Sequence, residues 1–112
     1  MSEPRLATRL WVMALVRRCS VDGVTAVIVR KGDEDRGAVL LKVNRFAAGC
    51  TVWTQTRTLD GLAAWMRGSG PSPVDEPEAD AYVGRQVARD PDLWVVEIED
   101  RLGRNPFEGK LV

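Results

Sequence analysis

An α+β fold, with a mainly antiparallel sheet of four to five strands and two helices in the order α-β-β-β-(β)-α-β, is predicted from three features of the sequence. A helix-forming stretch without internal Gly or Pro opens the chain, short β-branched runs separated by Gly-containing turns follow, and a second helix with a clear start precedes a last alternating strand. Strands that cluster in sequence, instead of alternating regularly with helices, predict an antiparallel sheet with the helices on one face. The length of 112 residues suits one domain, 1–112, with an irregular loop at 68–75 and an irregular tail at 101–112.

Pro4 starts the first helix, expected from Arg5 to about Arg18. Leu6, Leu10, Met13 and Ala14 form one stripe, which Ala7, Trp11 and Leu15 widen, while Val12 and Val16 fall on the opposite side. A helix apolar almost all round is either sandwiched in the fold or offers its second face to a partner. After Asp22-Gly23, the runs Val24 to Arg30 and Ala38 to Arg45 predict a β-hairpin with an acidic tip at Asp33, Glu34 and Asp35. A turn at Ala47 to Gly49 then leads into Cys50 to Thr56, extending the hairpin to an antiparallel meander.

The stretch from Leu59 to Arg67 fits a short helix or a fourth strand, and strand is the preferred reading. Gly68 to Pro73 is a connector whose two prolines remove N–H groups that a phosphate cradle would need. Asp75 followed by Glu78, with Pro77 in the first turn, starts the second helix, which runs to about Arg89 and buries Ala79, Tyr82, Val83 and Val87. Asp90-Pro91-Asp92 stops it. In the last strand, Leu93 to Asp100, Trp94, Val96 and Ile98 point one way and Leu93, Val95, Glu97 and Glu99 the other.

Composition excludes several functions. Sixteen basic and sixteen acidic residues cancel, so no whole-molecule field draws the chain to nucleic acid or anionic lipid. There is no His, which removes imidazole bases and imidazole metal ligands. Cys19 and Cys50 form neither a CxxC pair nor a disulfide framework, so a reducing, cytoplasmic setting and no metal or other cofactor are expected. The apolar run Leu10 to Val16 is too short to span a bilayer and lacks a cleavage site after it, so the N-terminus reads as mature structure with no membrane role.

Leu10-Trp11 and Arg17-Arg18-Cys19 on the first helix, Val29 to Asp33 at the hairpin and Gly37 to Asn44 on the second strand resemble a small bacterial family, domain of unknown function 1491. Asp80, Tyr82, Arg85 and Gln86 on the second helix and Asp90 to Arg101 at the end extend the likeness, which leaves Arg57 to Val74 poorly matched. The resemblance implies a family, and carries no activity, cofactor or catalytic residue with it.

Candidate chemistry competes with simpler structural roles. Cys19 has Arg17 and Arg18 beside it to favour a thiolate, but it lies at a helix C-terminus, where the dipole opposes one, and lacks a His base. Glu97 and Glu99, with Asp92, are candidates for acid–base or metal work. If the last strand neighbours Ala38 to Arg45, Lys42 and Asn44 share their face and cross-strand ion pairing explains the pattern. Trp53 is expected on the sheet face away from the helices, where with Arg45 or Arg57 it would form an aromatic-plus-Arg binding patch.

The functional expectation is a non-enzymatic interaction module, a homodimer or a partner of another protein. The expected interface is the second face of the first helix, Val12 and Val16, or the sheet around Trp53, Leu40 and Val95. Nucleic-acid binding through the Arg/Trp patch and a carboxylate-based enzyme are the alternatives.

Overall fold

The computed structural model describes residues 7–57, 59–60, 63–104 and 110–111. The elements are α1 (Thr8–Val21), β1 (Thr25–Arg30), β2 (Val39–Asn44), a single 3₁₀ turn (Phe46–Ala48), β3 (Cys50–Arg57), β4 (Ala63–Arg67), α2 (Glu76–Arg89), β5 (Trp94–Glu99) and β6 (Lys110–Leu111). They form the expected α+β fold, and the ambiguous stretch before Gly68 contains a strand, Ala63–Arg67. The first turn predicted for the leading helix, at Arg5 and Leu6, lies outside the described residues. Within the tail expected to be irregular, Lys110 and Leu111 pair in parallel with Ala64 and Trp65. No helix among the described residues is long and apolar enough to cross a membrane.

Strand order is β1-β5-β2-β3-β4-β6. The pairs β2/β3 and β3/β4 are antiparallel, as short connections require. The hairpin expected between β1 and β2 does not close. Instead β5 lies between them, antiparallel to β1 and parallel to β2. Lys31 to Ala38 is long enough to straddle a strand, and it crosses the start of β5 at close range. Asp33 N–H donates to the Asp92 carbonyl at 3.0 Å, and the Trp94 indole N–H donates to the Asp33 carbonyl at 2.7 Å. A Cβ at Gly32 or Gly37 would collide with the Asp92 carbonyl, so backbone meets backbone at this crossing.

The helices cover opposite faces of the sheet, not one face. Val12, Leu15 and Cys19 of α1 pack on Val39, Leu41, Val43, Trp53, Trp65, Trp94, Val96 and Ile98. On the other face Ala79 of α2, flanked by Tyr82, Val83 and Val87, packs with Leu40, Cys50, Val52 and Leu93. The pleat sorts β2 between these two cores, and every residue of that strand is buried. Central strands covered on both sides read as continuous apolar runs, as Val39-Leu40-Leu41 and Leu93 to Val96 do.

The rotation of α1 also differs from the expected one. Its buried row is Val12, Leu15 and Cys19, with Trp11 and Val16 at the margins, whereas Leu10, Met13 and Ala14 face outward. A helix apolar on most sides cannot choose its rotation from periodicity alone. Two local features fix it here: Trp11 stacks on Trp65 at 5.7 Å, and the Thr8 hydroxyl donates to the Gly37 carbonyl at 2.8 Å.

The start of α2 follows its sequence signal. Asp75 caps it by accepting from Glu78 N–H at 3.0 Å, with Pro77 in the first turn. The loop before it is anchored to the sheet. Ser69 Oγ accepts from Val52 N–H, and Val74 exchanges two backbone hydrogen bonds with Cys50.

Candidate functional site

Alternation along β2 sends Leu40, Lys42 and Asn44 towards α2. Lys42, only 4% exposed, donates from Nζ to Asp80 Oδ1 at 2.7 Å, Glu76 Oε2 at 2.8 Å and Glu97 Oε1 at 3.0 Å. Glu76 and Asp80 stand one turn apart on α2, and Glu97 is directly opposite Lys42 in the β2/β5 register. Three donors thus meet three carboxylates, which satisfies a buried ammonium. Burial by itself would lower the Lys42 pKa, but the hydrogen bonds that the ammonium donates to Asp80, Glu76 and Glu97 outweigh it and raise the pKa well above the ordinary lysine value. An ammonium held this firmly is a poor nucleophile or base. Its effect is to fasten α2 to the sheet.

Asn44 extends the cluster. Its Nδ2 donates to Glu76 Oε2 at 3.1 Å and its Oδ1 accepts from Phe46 N–H at 2.8 Å. Phe46 is held there at φ 60°, in the left-handed region that a non-Gly residue seldom occupies. Beside it lies an open groove of about 430 Å³, lined by the 3₁₀ turn, Gly49, Cys50, Pro73, Val74 and the start of α2. The carboxylates at its margin are already engaged, Asp75 as a cap and Glu76 with Lys42 and Asn44.

The sequence-predicted site residues therefore separate. Lys42 and Glu97 pair across neighbouring strands. Glu99 is half-buried one pleat further along, while Asp92 lies before the other end of β5, so the three carboxylates do not converge. Trp53 is on the α1 side of the sheet, buried, with the Arg67 guanidinium 4.9 Å over its ring. Arg45 lies beyond the end of β2, where its Nε donates to the Arg101 carbonyl at 3.4 Å. Arg57 ends β3 opposite Ala63. Of the expected interface residues, Val12, Leu40 and Val95 are fully buried in the chain's own core and Val16 is half-buried against it.

Sequence reasoning found Lys42 and Glu97 but missed Glu76 and Asp80. Their signal was the spacing of four residues, which puts both carboxylates on one face at the start of a helix. It also placed an acidic tip on the expected hairpin, in the loop that instead crosses β5. There Glu34 pairs with Lys31 at 3.0 Å and the Asp33 carboxylate accepts from Asp35 and Arg36 N–H, closing the turn. Among the described residues no group of three or more His, Cys, Asp or Glu is arranged to hold a metal ion.

Cys19 and Cys50 are free, buried and on opposite sides of the sheet. Burial pushes the Cys19 thiol pKa up, Asp22 adds to this and Arg18 opposes it; burial likewise raises that of Cys50. Neither is an activated nucleophile.

Part of the surface left outside the core is apolar. On β1, Val27, Ile28 and Val29 are exposed, and among the described residues no strand pairs with its outer edge. On α1, Leu10, Met13, Ala14 and Val21 face outward.

Comparison with known proteins agrees with this fold. No curated protein matches the chain. A DUF1491 family protein from Caulobacter crescentus CB15, solved by crystallography, is 41% identical, with 96% of this chain and 100% of that chain covered and a TM-score of 0.88. An NMR structure of a DUF1491 family protein from the same organism is 40% identical over 98% and 99% of the two chains, with a TM-score of 0.85. A solution structure of a protein from A. tumefaciens is 25% identical over 87% of each chain, with a TM-score of 0.70. The model of a protein family of unknown function, DUF1491, matches residues 6–108, and the chain belongs to that family.

Proposed function

We propose that this chain is a non-enzymatic interaction module that pairs with a second copy of itself along the open edge of β1. The observation that carries the proposal is the character of that edge. From Thr25 to Val29 it holds no charged side chain and no proline, and Val27 and Val29 are 49% and 59% exposed. Soluble proteins usually protect an edge strand with a lysine, a proline or a covering loop, because its unpaired N–H and C=O groups template pairing with another chain. The nearest cation, Arg30, is turned inward and donates to the Pro91 and Leu93 carbonyls at 3.0 and 3.1 Å.

Two copies related by a two-fold axis perpendicular to the sheet would add β1 to β1 antiparallel, in a self-complementary contact. A register shift between Ile28 and Arg30 bounds the regular part of the edge, so the contact is short and the association reversible in the micromolar range. A cytoplasmic setting belongs to the same proposal, supported by two cysteines that are not bridged.

Sedimentation equilibrium across the micromolar range tests it. The natural chain is expected to form dimers, and Val27→Lys or Val29→Lys, both at exposed positions, to return it to monomer without loss of fold. A monomer throughout that range, or a dimer indifferent to both substitutions, rejects the β1 interface.

A further inference from the structure

We infer that the outward face of α1 is a second docking surface, for an acidic amphipathic segment of another protein. The core uses Val12, Leu15 and Cys19 of this helix, and the opposite side keeps Leu10, Met13, Ala14 and Val21 exposed. These positions fall at i, i+3, i+4 and i+11, with Arg17 at i+7, so they form one continuous stripe along the helix. Arg9 and Arg17 are exposed beside and within the stripe, and Thr8–Val21 contains no Asp or Glu at all.

α2 shows what an ordinary solvated face looks like in this molecule. It carries Glu76, Glu78 and Asp80 at one end and Arg85 and Arg89 at the other, and its apolar residues gather on the buried side. α1 instead combines exposed apolar side chains with charge of one sign, in a chain whose total charge is zero. Charge complementarity therefore selects a partner bearing carboxylates, and the apolar stripe selects one that also has an apolar face. A membrane-surface helix separates its basic residues from its apolar face, whereas Arg17 stands inside this stripe, and a nucleic-acid platform presents exposed aromatic rings, whereas Trp11, the helix's one aromatic residue, stacks on Trp65. The inference is independent of the β1 edge and does not require a dimer.

The test is a titration of the ¹⁵N-labelled full chain with a synthetic helical peptide that carries Leu at helical spacing flanked by Glu. Amide shifts are expected at Leu10, Met13, Ala14, Arg17 and Val21, weakening as salt is added. Met13→Glu and Arg9→Gln/Arg17→Gln should each weaken binding by about tenfold, the loss of roughly 1.4 kcal/mol. These positions are exposed, so far-UV circular dichroism should show the fold retained. Three results would overturn the inference: no shifts at millimolar peptide, shifts confined to another surface, or equal affinity for a peptide with Gln in place of Glu. Binding of phosphatidylglycerol vesicles or a single-stranded oligonucleotide to this face when the peptide fails would also overturn it, in favour of a lipid or nucleic-acid ligand.

Discussion

Lys42 shows how one side chain can hold two layers together. Removing its ammonium leaves Glu76, Asp80 and Glu97 facing one another, and because Glu76 and Asp80 are half-exposed the penalty lies between those of a surface and a buried ion pair. Lys42→Met is expected to cost about 2–3 kcal/mol in chemical denaturation at neutral pH. The raised pKa sets a sign. Its contribution is complete below the unfolded lysine value, about 10.4, and is lost as pH rises beyond it, so the natural chain should lose stability above that pH by a component missing from Lys42→Met. Asp100 behaves oppositely. The Arg104 side chain holds its pKa below the ordinary value against the effect of burial, helped by Leu102 and Arg104 N–H. Its contribution is present above about pH 3.9 and fades as pH falls through the lowered value, so Asp100→Asn should flatten that part of an acid denaturation curve. At this scale the sequence showed the Lys42–Glu97 pair through strand alternation. It concealed Trp53, because a residue flanked by Val52 and Thr54 can face either side of a sheet and only the position of α1 decides which.

The elements were more legible than the rotations and pairings between them. α2 was readable almost to the residue, because a cap, a first-turn proline and an Asp-Pro stop each act locally. Asp75→Ala should lower stability by about 1 kcal/mol by leaving Glu78 N–H without its acceptor, measurable as a shift in the denaturation midpoint. β4 was ambiguous because so short an apolar run has no decisive period, and its strand state comes from pairing with β3. The rotation of α1 depended on Trp65, far along the chain. The crossing of the Gly32 loop over β5 makes a sharper demand on an element boundary. Gly32→Ala would drive a methyl into the Asp92 carbonyl and is expected to cost at least about 1–3 kcal/mol, or to prevent folding.

At the scale of the whole molecule, the sheet explains why the surfaces lie where they do. Helices on both faces bury the central strands, so Leu40 and Val95, which as isolated sequence promise surplus apolar surface, are used up internally. The surplus moves to the margin of the sheet and to the outer side of α1. If β1 pairs with a second copy, its amide hydrogens should exchange more slowly as protein concentration rises, while those of α2 stay unchanged. The insertion of β5 between β1 and β2 was invisible from sequence, because a polar, Gly-flanked loop between two strands suggests a hairpin whether or not a third strand passes beneath it. That insertion also orders events during synthesis. Thr25 waits for Glu99 and Leu40 for Val95, so both early strands leave the ribosome with an unfilled edge and only β2, β3 and β4 can assemble among themselves. The strand that joins the two halves arrives late, and until it does the edges of β1 and β2 that face it are both open, so that a β1–β2 hairpin, were one to form, would occupy the place of β5. Successful folding of the nascent chain requires that hairpin to open or never to form.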